Sequence, residues 1–552
     1  MHVPPAVADL GIPRLPLPDN EPVRGYAPGS DERSSLQARV DELAKETVDA
    51  VMVVDGKDVT GDEVIARHAP HRHDLHLADV HVASAQQVEA AVDASLRAAP
   101  GWGEVPFSER AAVLMRAAEL IAGPYRDTIN AATVLGQSKS TQQAEIDAVC
   151  ELVDFLRFNC WYAQQIIAEQ PPHSPTGTWN TMEWRPLDGF VLAVTPFNFT
   201  AIAGNLPTAP VLMGNTVVWK PSPKQALAAH HTMRVLQHAG LPDGVINLVH
   251  GDGALAVETA LARRELAGVH FTGSEQVLRT IFSTVGEHMG DYKGFPRIVG
   301  ESGGKDFVVA HPGAEVEPLV VALARGAFEY QGQKCSAVSR AYLPRSLWPA
   351  VRDGLVDVVG QMSMGDVGDL STFLGAVIDE SSYRKLSDAL DQARATDGVE
   401  VLVGGGCDES TGWFVEPTVL VSDDPRSDTM VRELFGPVLT VFVYDDAADG
   451  AWDDVLELVR TGSDYALTGA VWSTDRAAVA TASRVLRQSA GNFYVNDKPT
   501  GSVVGQQPFG GAGASGTNDK AGSHLNLLRW TSPRAVKETF VPPTDWRYPH
   551  QG

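Results

Sequence analysis

Between residues 34 and 168 apolar side chains recur at three- and four-residue spacing, which predicts helices over 36–47, 85–99 and 108–122. A longer helix is expected over about 140–169, with Val149, Leu152, Val153, Leu156, Phe158 and Trp161 on its buried side. Pro171, Pro172 and Pro175 then break it, because proline cannot continue a helix. Residues 179–185 read as a β-rich strand, an arm of a hairpin projecting from the body. After Gly189 the rhythm changes. Short apolar runs at 190–195, 216–220, 245–249 and 269–272 alternate with helical stretches at 206–212, 226–237, 254–266 and 275–288. Such alternation predicts parallel strands joined by right-handed crossovers, a doubly wound α/β sheet. A second series follows, with strands at 307–310, 341–343, 399–403, 418–421 and 438–443 and a helix around 318–330. It reads as a second α/β domain. The expected organisation is an N-terminal extension (1–33), a first α/β domain (34–171 and 188–300) and a second (301–524).

Composition narrows the partners. A chain of 552 residues exceeds one hydrophobic core, and its 44 basic and 69 acidic residues leave a net charge of −25. So acidic a surface repels phosphate backbones and anionic lipids, so neither nucleic acid nor membrane is an expected partner. No apolar run reaches the roughly 18–20 residues a membrane helix needs. The proline-rich, acid-bearing first 30 residues match neither a signal peptide nor a transit sequence. Cys150, Cys160, Cys335 and Cys407 form no CxxC pair, which argues against a disulfide framework and against a metal site. A reducing compartment, the cytoplasm, is the expected location.

Cys335 stands in Gly332-Gln333-Lys334-Cys335-Ser336-Ala337, 34 positions after Glu301 of Glu301-Ser302-Gly303-Gly304-Lys305. A thiol can attack a carbonyl carbon, and a carboxylate can activate water to hydrolyse the resulting thioester. Taken alone, a cysteine also serves as a small hydrophobe. Asn198 follows the strand at 190–195 and could donate to an oxyanion, or could cap the next helix. Lys220 ends the second strand, placed for ribose or phosphate or simply solvated. Gly273 and Ser274 open a helix where backbone N–H groups can hold a pyrophosphate. Glu433 could hold ribose hydroxyls or be a surface charge.

In order, the motifs PFNFT, VVWKPS, FTGS, ESGGK, GQKCSA, ELFGPV and PFGG resemble the aldehyde dehydrogenase superfamily from about residue 40 to about 535. The resemblance implies a Rossmann-type NAD-binding domain, a catalytic domain, and a projecting hairpin (172–187) that joins the C-terminal tail (525–552) in a homodimer or higher homo-oligomer. It makes Cys335 the nucleophile, Glu301 the general base and Asn198, with the Cys335 backbone N–H, the oxyanion hole. Lys220 and Glu433 become ribose ligands, Gly273 and Ser274 the pyrophosphate site, with Thr195, Pro196 and Phe435 beside them. Ser302 stands where Leu is usual, and Pro223 where many NAD-preferring members carry a Glu that excludes a 2′-phosphate. NAD rather than NADP is thus implied only by the narrower resemblance below. CoA-acylating relatives need no hydrolytic base, and Glu301 argues against them.

The segments 195–205, 332–337 and 499–519 are similar to those of the L-glutamate γ-semialdehyde dehydrogenases, which implies NAD-dependent oxidation of that aldehyde to L-glutamate in proline catabolism. On that resemblance Gly501, Ser502 and Ser336 bind the substrate's α-carboxylate, while Phe199 and Phe509 bracket its aliphatic stem. A glycine turn makes an anion-binding nest and aromatic walls suit methylenes, although Thr500-Gly501-Ser502 also reads as an ordinary reverse turn. Another small aldehyde or semialdehyde is the alternative substrate.

Overall fold

In Phe190–Thr195, Phe190, Leu192 and Val194 pack to one side and Val191 and Ala193 to the other. A strand apolar on both faces belongs in the middle of a parallel sheet covered by helices. That is its place in the computed structural model, which describes residues 11–251 and 253–552. The first sheet has the order Arg297–Glu301, Leu266–Thr272, Phe190–Thr195, Thr216–Pro221, Ile246–Leu248, Met52–Val54, Lys57–Val59. The first five strands are parallel, and the last two join antiparallel at the edge. Helices Phe107–Ala122, Glu151–Ala168, Thr200–Leu212 and Ala226–His238 cover one face. Helices Ala85–Gly103, Gly253–Leu261 and Glu275–Glu287 cover the other. From Phe190–Thr195 the chain builds outward to Ile246–Leu248, then returns to the opposite side with Leu266–Thr272. Strand order reverses there, and at such a switch point the loops diverge at the carboxyl ends to leave a crevice.

The second sheet runs Val399–Val403, Thr418–Ser422, Val438–Tyr444, Val338–Pro344, Asp306–Ala310, Thr468–Trp472, Asn492–Val495. Its strands are parallel apart from antiparallel Val399–Val403. Only residues 302–305 separate Glu301, last in its strand, from Asp306, first in the next. The carboxyl end of one sheet therefore leads directly into the amino end of the other.

Two expectations are corrected. Residues 48–82, read as part of a helical region, are strands: Val48–Ala50, Glu63–Ala69 and Arg72–Val82 form a three-stranded sheet, and Met52–Val54 and Lys57–Val59 edge the first sheet. Leu75, Leu77, Ala78 and Val80 are buried in Arg72–Val82, so the two-residue alternation slips by one between Leu77 and Ala78. The helix expected over 140–169 is split into Thr141–Ala144, a π-turn Glu145–Cys150 and Glu151–Ala168. The wide turn accommodates two buried carboxylates, Glu145 and Asp147, each facing a basic side chain. Thr178–Arg185 pairs antiparallel with Ser532–Thr539 of the same chain.

Trp530 is fully buried, its ring 4.7 Å from that of His270, and its carbonyl accepts from Asn215 Nδ2 at 2.8 Å. Among the described residues no helix is long and apolar enough to cross a membrane.

Candidate active site

Cys335 lies on a tight loop between helix Val316–Phe328 and strand Val338–Pro344. Tyr330, Gln331 and Gly332 have φ values of 53°, 53° and 63°, three successive left-handed residues. Two non-glycine residues in that region cost of order 1–3 kcal/mol each and persist only where surroundings hold them. Here they are held. Gln331 Nε2 donates to the Ser138 and Ala376 carbonyls at 2.9 and 2.7 Å, and Gln333 Oε1 accepts from Ile378 N–H at 2.9 Å. A Cβ on Gly332 would stand 2.2 Å from the Gly436 carbonyl oxygen, so only glycine fits. Burial, reinforced by the negative charges of Asp306, Glu301 and Glu433, pushes the Cys335 thiol far up from its ordinary range.

Asn198 does not cap the following helix. The cap position of Thr200–Leu212 is Phe199, with no side-chain cap bond. Instead the buried Asn198 Nδ2 donates to the Gln333 carbonyl at 2.9 Å, fixing its amide against the Cys335 loop. The same NH₂ carries a second donor hydrogen. Glu301 ends its strand, and its Oε2 accepts from Gly511 N–H at 3.2 Å. Burial raises the Glu301 carboxyl well above the ordinary carboxylate range, against the lowering effect of that N–H.

The register of the first sheet aligns the expected cofactor residues at one edge. Lys220 pairs with Val194, which pairs with Phe271, and Thr272 pairs with Glu301. The Lys220 Nζ packs against Gly253, where a Cβ would be 3.2 Å away. Ser274 caps helix Glu275–Glu287, its Oγ accepting from Val277 N–H. Thr195 turns inward, its hydroxyl accepting from Trp219 Nε1 at 3.0 Å and its carbonyl from Ser222 N–H. Glu433 is no surface charge. Its Oε1 accepts from Gly304 N–H at 2.9 Å, and a Cβ on Gly303 would clash with its carboxylate at 2.3 Å. Phe435, at φ 57°, meets Phe197 edge-on at 5.9 Å, closing PFNF against ELFG beside Pro196. A parallel-sheet switch point, a capped helix start and two charged side chains along the same edge suit a dinucleotide.

Residues 500–511 reach three parts of the site. Thr500 Oγ1 and Ser336 Oγ are 2.9 Å apart, and both residues are buried. Gly501 has φ 88°, and its carbonyl accepts from Tyr494 O–H at 2.9 Å, with Ser502 next in line. Phe509 exchanges both backbone hydrogen bonds with Ala521, which directs Gly511 N–H to Glu301. Phe199, nearly buried, heads helix Thr200–Leu212 from the other side.

Sequence reasoning missed the ionic cluster behind Phe199. Lys139 Nζ donates to Asp147 Oδ2 at 2.7 Å and lies 4.2 and 4.3 Å from the Phe199 and Tyr330 ring centres. Lys334, next to Cys335, reaches the same carboxylate at 3.2 Å. Burial brings Lys139 down to about 8, while burial and Asp147 push Glu151 up to about 8. The signal was available. Asp147 and Glu151 are like charges four apart on a helix, an arrangement unfavourable without nearby cations.

The fold and this seam between two sheets define an aldehyde dehydrogenase. The family model for "Aldehyde dehydrogenase family" matches residues 58–536, and the chain belongs to that family. It is similar to delta-1-pyrroline-5-carboxylate dehydrogenase, mitochondrial, from Dictyostelium discoideum, 47% identical over 97% of this chain and 96% of that one. The human protein of the same description is 44% identical over 96% of this chain and 93% of its own. The structure also resembles the NAD-bound delta-pyrroline-5-carboxylate dehydrogenase of Mycobacterium tuberculosis, with TM-score 0.94, 55% identity, and 98% and 99% of the two chains covered. The expectation of a cytoplasmic location is corrected by these relatives, since the Dictyostelium and human enzymes are both described as mitochondrial. Sparse unpaired cysteines indicate a reducing environment, which does not single out the cytosol.

Proposed function

We propose that this aldehyde dehydrogenase oxidises L-glutamate 5-semialdehyde, the open-chain form of 1-pyrroline-5-carboxylate, to L-glutamate with NAD, a step of proline catabolism. What supports the reading is Asn198 Nδ2 bonded to the Gln333 carbonyl two residues before Cys335, Glu301 held by Gly511 N–H and acting electrostatically on the Cys335 thiol, and Ser336 hydrogen-bonded to Thr500 of the Thr500-Gly501-Ser502 turn. Lys220, Gly273, Ser274, Glu433 and Phe435 would hold the dinucleotide along the sheet edge, with Thr195 and Pro196 shaping that edge from the backbone. When bound there, the nicotinamide accepts the hydride that leaves the reacting carbon.

Cys335 gives up its thiol proton to water as its sulfur bonds to the aldehyde carbon, and the carbonyl π electrons move onto oxygen. Asn198 Nδ2 donates to that oxyanion alongside the Cys335 backbone N–H. Loss of hydride leaves a thioester on Cys335. Glu301 then takes a proton from water, whose oxygen attacks the thioester carbon, and the C–S bond breaks to return the thiolate and release the acid. Gly501, Ser502 and the Ser336 hydroxyl bind the α-carboxylate, while Phe199 and Phe509 line the stem. NADH formation from pyrroline-5-carboxylate, compared with succinate semialdehyde and propanal, tests the reading. A higher kcat/KM on either rival aldehyde overturns it.

The chain is further proposed to form a homodimer or larger homo-oligomer through its projecting ribbon. Support comes from the exposure of Trp179, Phe540, Val541 and Trp546 on and beside a sheet of only two strands.

A further inference from the structure

Residues 15–26 have no regular secondary structure, yet they are tied down along their length. Glu21 receives Arg126 Nη1 at 2.6 Å and Arg157 Nη1 at 2.8 Å, and its N–H donates to Asp154 Oδ1 at 2.7 Å. Arg24 N–H and Tyr26 O–H both donate to Glu145 in the π-turn, at 2.9 and 2.8 Å. At the centre stands Asn20. Its amide donates to Asp154 Oδ2 and to the Val504 carbonyl, both at 2.8 Å, and its Oδ1 accepts from Gln506 Nε2 at 2.9 Å.

Val504 and Gln506 belong to the turn that follows Gly501 and Ser502. That segment lies flat on helix Glu151–Ala168, since a Cβ on Gly505 would be 2.3 Å from the Phe158 ring. Its upstream end is fixed by Ser336 to Thr500 and by Tyr494 to Gly501. Downstream of Ser502, Asn20 grips the turn from both sides, bridging it to Asp154. We infer that Asn20 is a positioning residue for the carboxylate-binding turn, so that the segment before residue 58, outside the family match, sets selectivity for acids over plain aldehydes. The inference rests on the proposed role of Gly501 and Ser502. A nest that binds an anion needs its N–H groups held in place, and one slack end blurs their direction.

The test measures kcat/KM for the semialdehyde and for propanal, and their ratio, in Asn20→Ala, Gln506→Ala, the double variant and Ser336→Ala. Gln506 is exposed, so its replacement leaves folding intact if Asn20→Ala does not. Expected is a fall in the ratio of about three- to tenfold for Asn20→Ala, carried mainly by KM. Gln506→Ala should lower it less, and the double variant should cost no more than Asn20→Ala alone, because both act through one turn. A lower ratio in Ser336→Ala with an unchanged ratio in both Asn20→Ala and Gln506→Ala overturns the inference while sparing the carboxylate site. Equal losses on both aldehydes in Asn20→Ala also overturn it. An unchanged ratio in Ser336→Ala refutes the carboxylate site, and the inference with it.

Discussion

The Ser336 and Thr500 hydroxyls share a hydrogen bond of 2.9 Å, although 164 residues separate them. It joins the loop that carries Cys335 to the turn proposed to hold the substrate's carboxylate, so reacting carbon and carboxylate are gauged from one rigid contact. A hydroxyl bonded to a charged group is worth about 1.5–3 kcal/mol. Ser336→Ala should therefore lower kcat/KM for glutamate semialdehyde by roughly ten- to a hundredfold relative to propanal. Thr500→Val removes only the cross-link and should cost less. If the two variants match, or if both aldehydes suffer equally, Ser336 supports its loop and does not bind the carboxylate.

Cys335→Ala should abolish NADH formation yet leave NAD affinity nearly unchanged, because the thiol is proposed to enter the chemistry and not cofactor recognition. Replacing Cys150, Cys160 or Cys407 should matter far less. Titrating NAD against each variant by fluorescence, alongside turnover, separates the two effects. Residual dehydrogenase activity near wild type in the Ala variant refutes the assignment.

Glu301 supplies a pH dependence with a definite sign. Burial raises its carboxyl above the ordinary range, so the neutral form, which cannot accept water's proton, persists to higher pH than in a free glutamate. Thioester hydrolysis should accordingly slow as pH falls through that elevated value and recover as pH rises. Glu301→Gln should keep a rapid burst of NADH near one equivalent per site, then turn over slowly with this pH limb gone. Rapid mixing across a pH series would show it. An undiminished steady state in the Gln variant means another base acts.

Much of the site was legible because its residues sit where strands end. Thr195 to Asn198, Lys220, Thr272 to Ser274 and Glu301 are local strand-to-loop signals, and the parallel register lines them up without further information. What escaped were groups whose meaning depends on distant partners. Asn20 acquires its role from Val504, 484 positions away, and Lys139 from a carboxylate on a π-turn that helical periodicity does not reveal. Residues 48–82 hid their strands because they are short and because the alternation of buried positions in Arg72–Val82 slips by one between Leu77 and Ala78. The strand Thr178–Arg185 was legible as a strand, but its partner in the same chain was not. Compartment was the least legible property, since thiol usage reports redox state alone.

The paired strands Thr178–Arg185 and Ser532–Thr539 make a two-stranded ribbon, which Gln170 ties to the end of helix Glu151–Ala168 through both backbone groups of Met182. Two strands alone are marginal in water, and this pair carries Trp179 at 57% exposure, followed beyond Thr539 by Phe540 at 59%, Val541 at 79% and Trp546 at 83%. Large aromatic side chains in that state are what an interface core recruits. Ending the chain after Thr539 removes Phe540, Val541 and Trp546 and one cross-ribbon bond, Phe540 N–H to the Gly177 carbonyl, but leaves the register of the paired strands intact, so it tests the aromatic tail separately from the strands. Sedimentation should find the full chain at least dimeric at micromolar concentration and the shortened one at least about tenfold weaker in association, the loss of one aromatic anchor already reaching that size. Because the site's own residues come from a single chain, kcat per subunit should fall little in the shortened form. A wild-type monomer, or a truncated chain that associates as tightly as the full one, refutes the proposed interface.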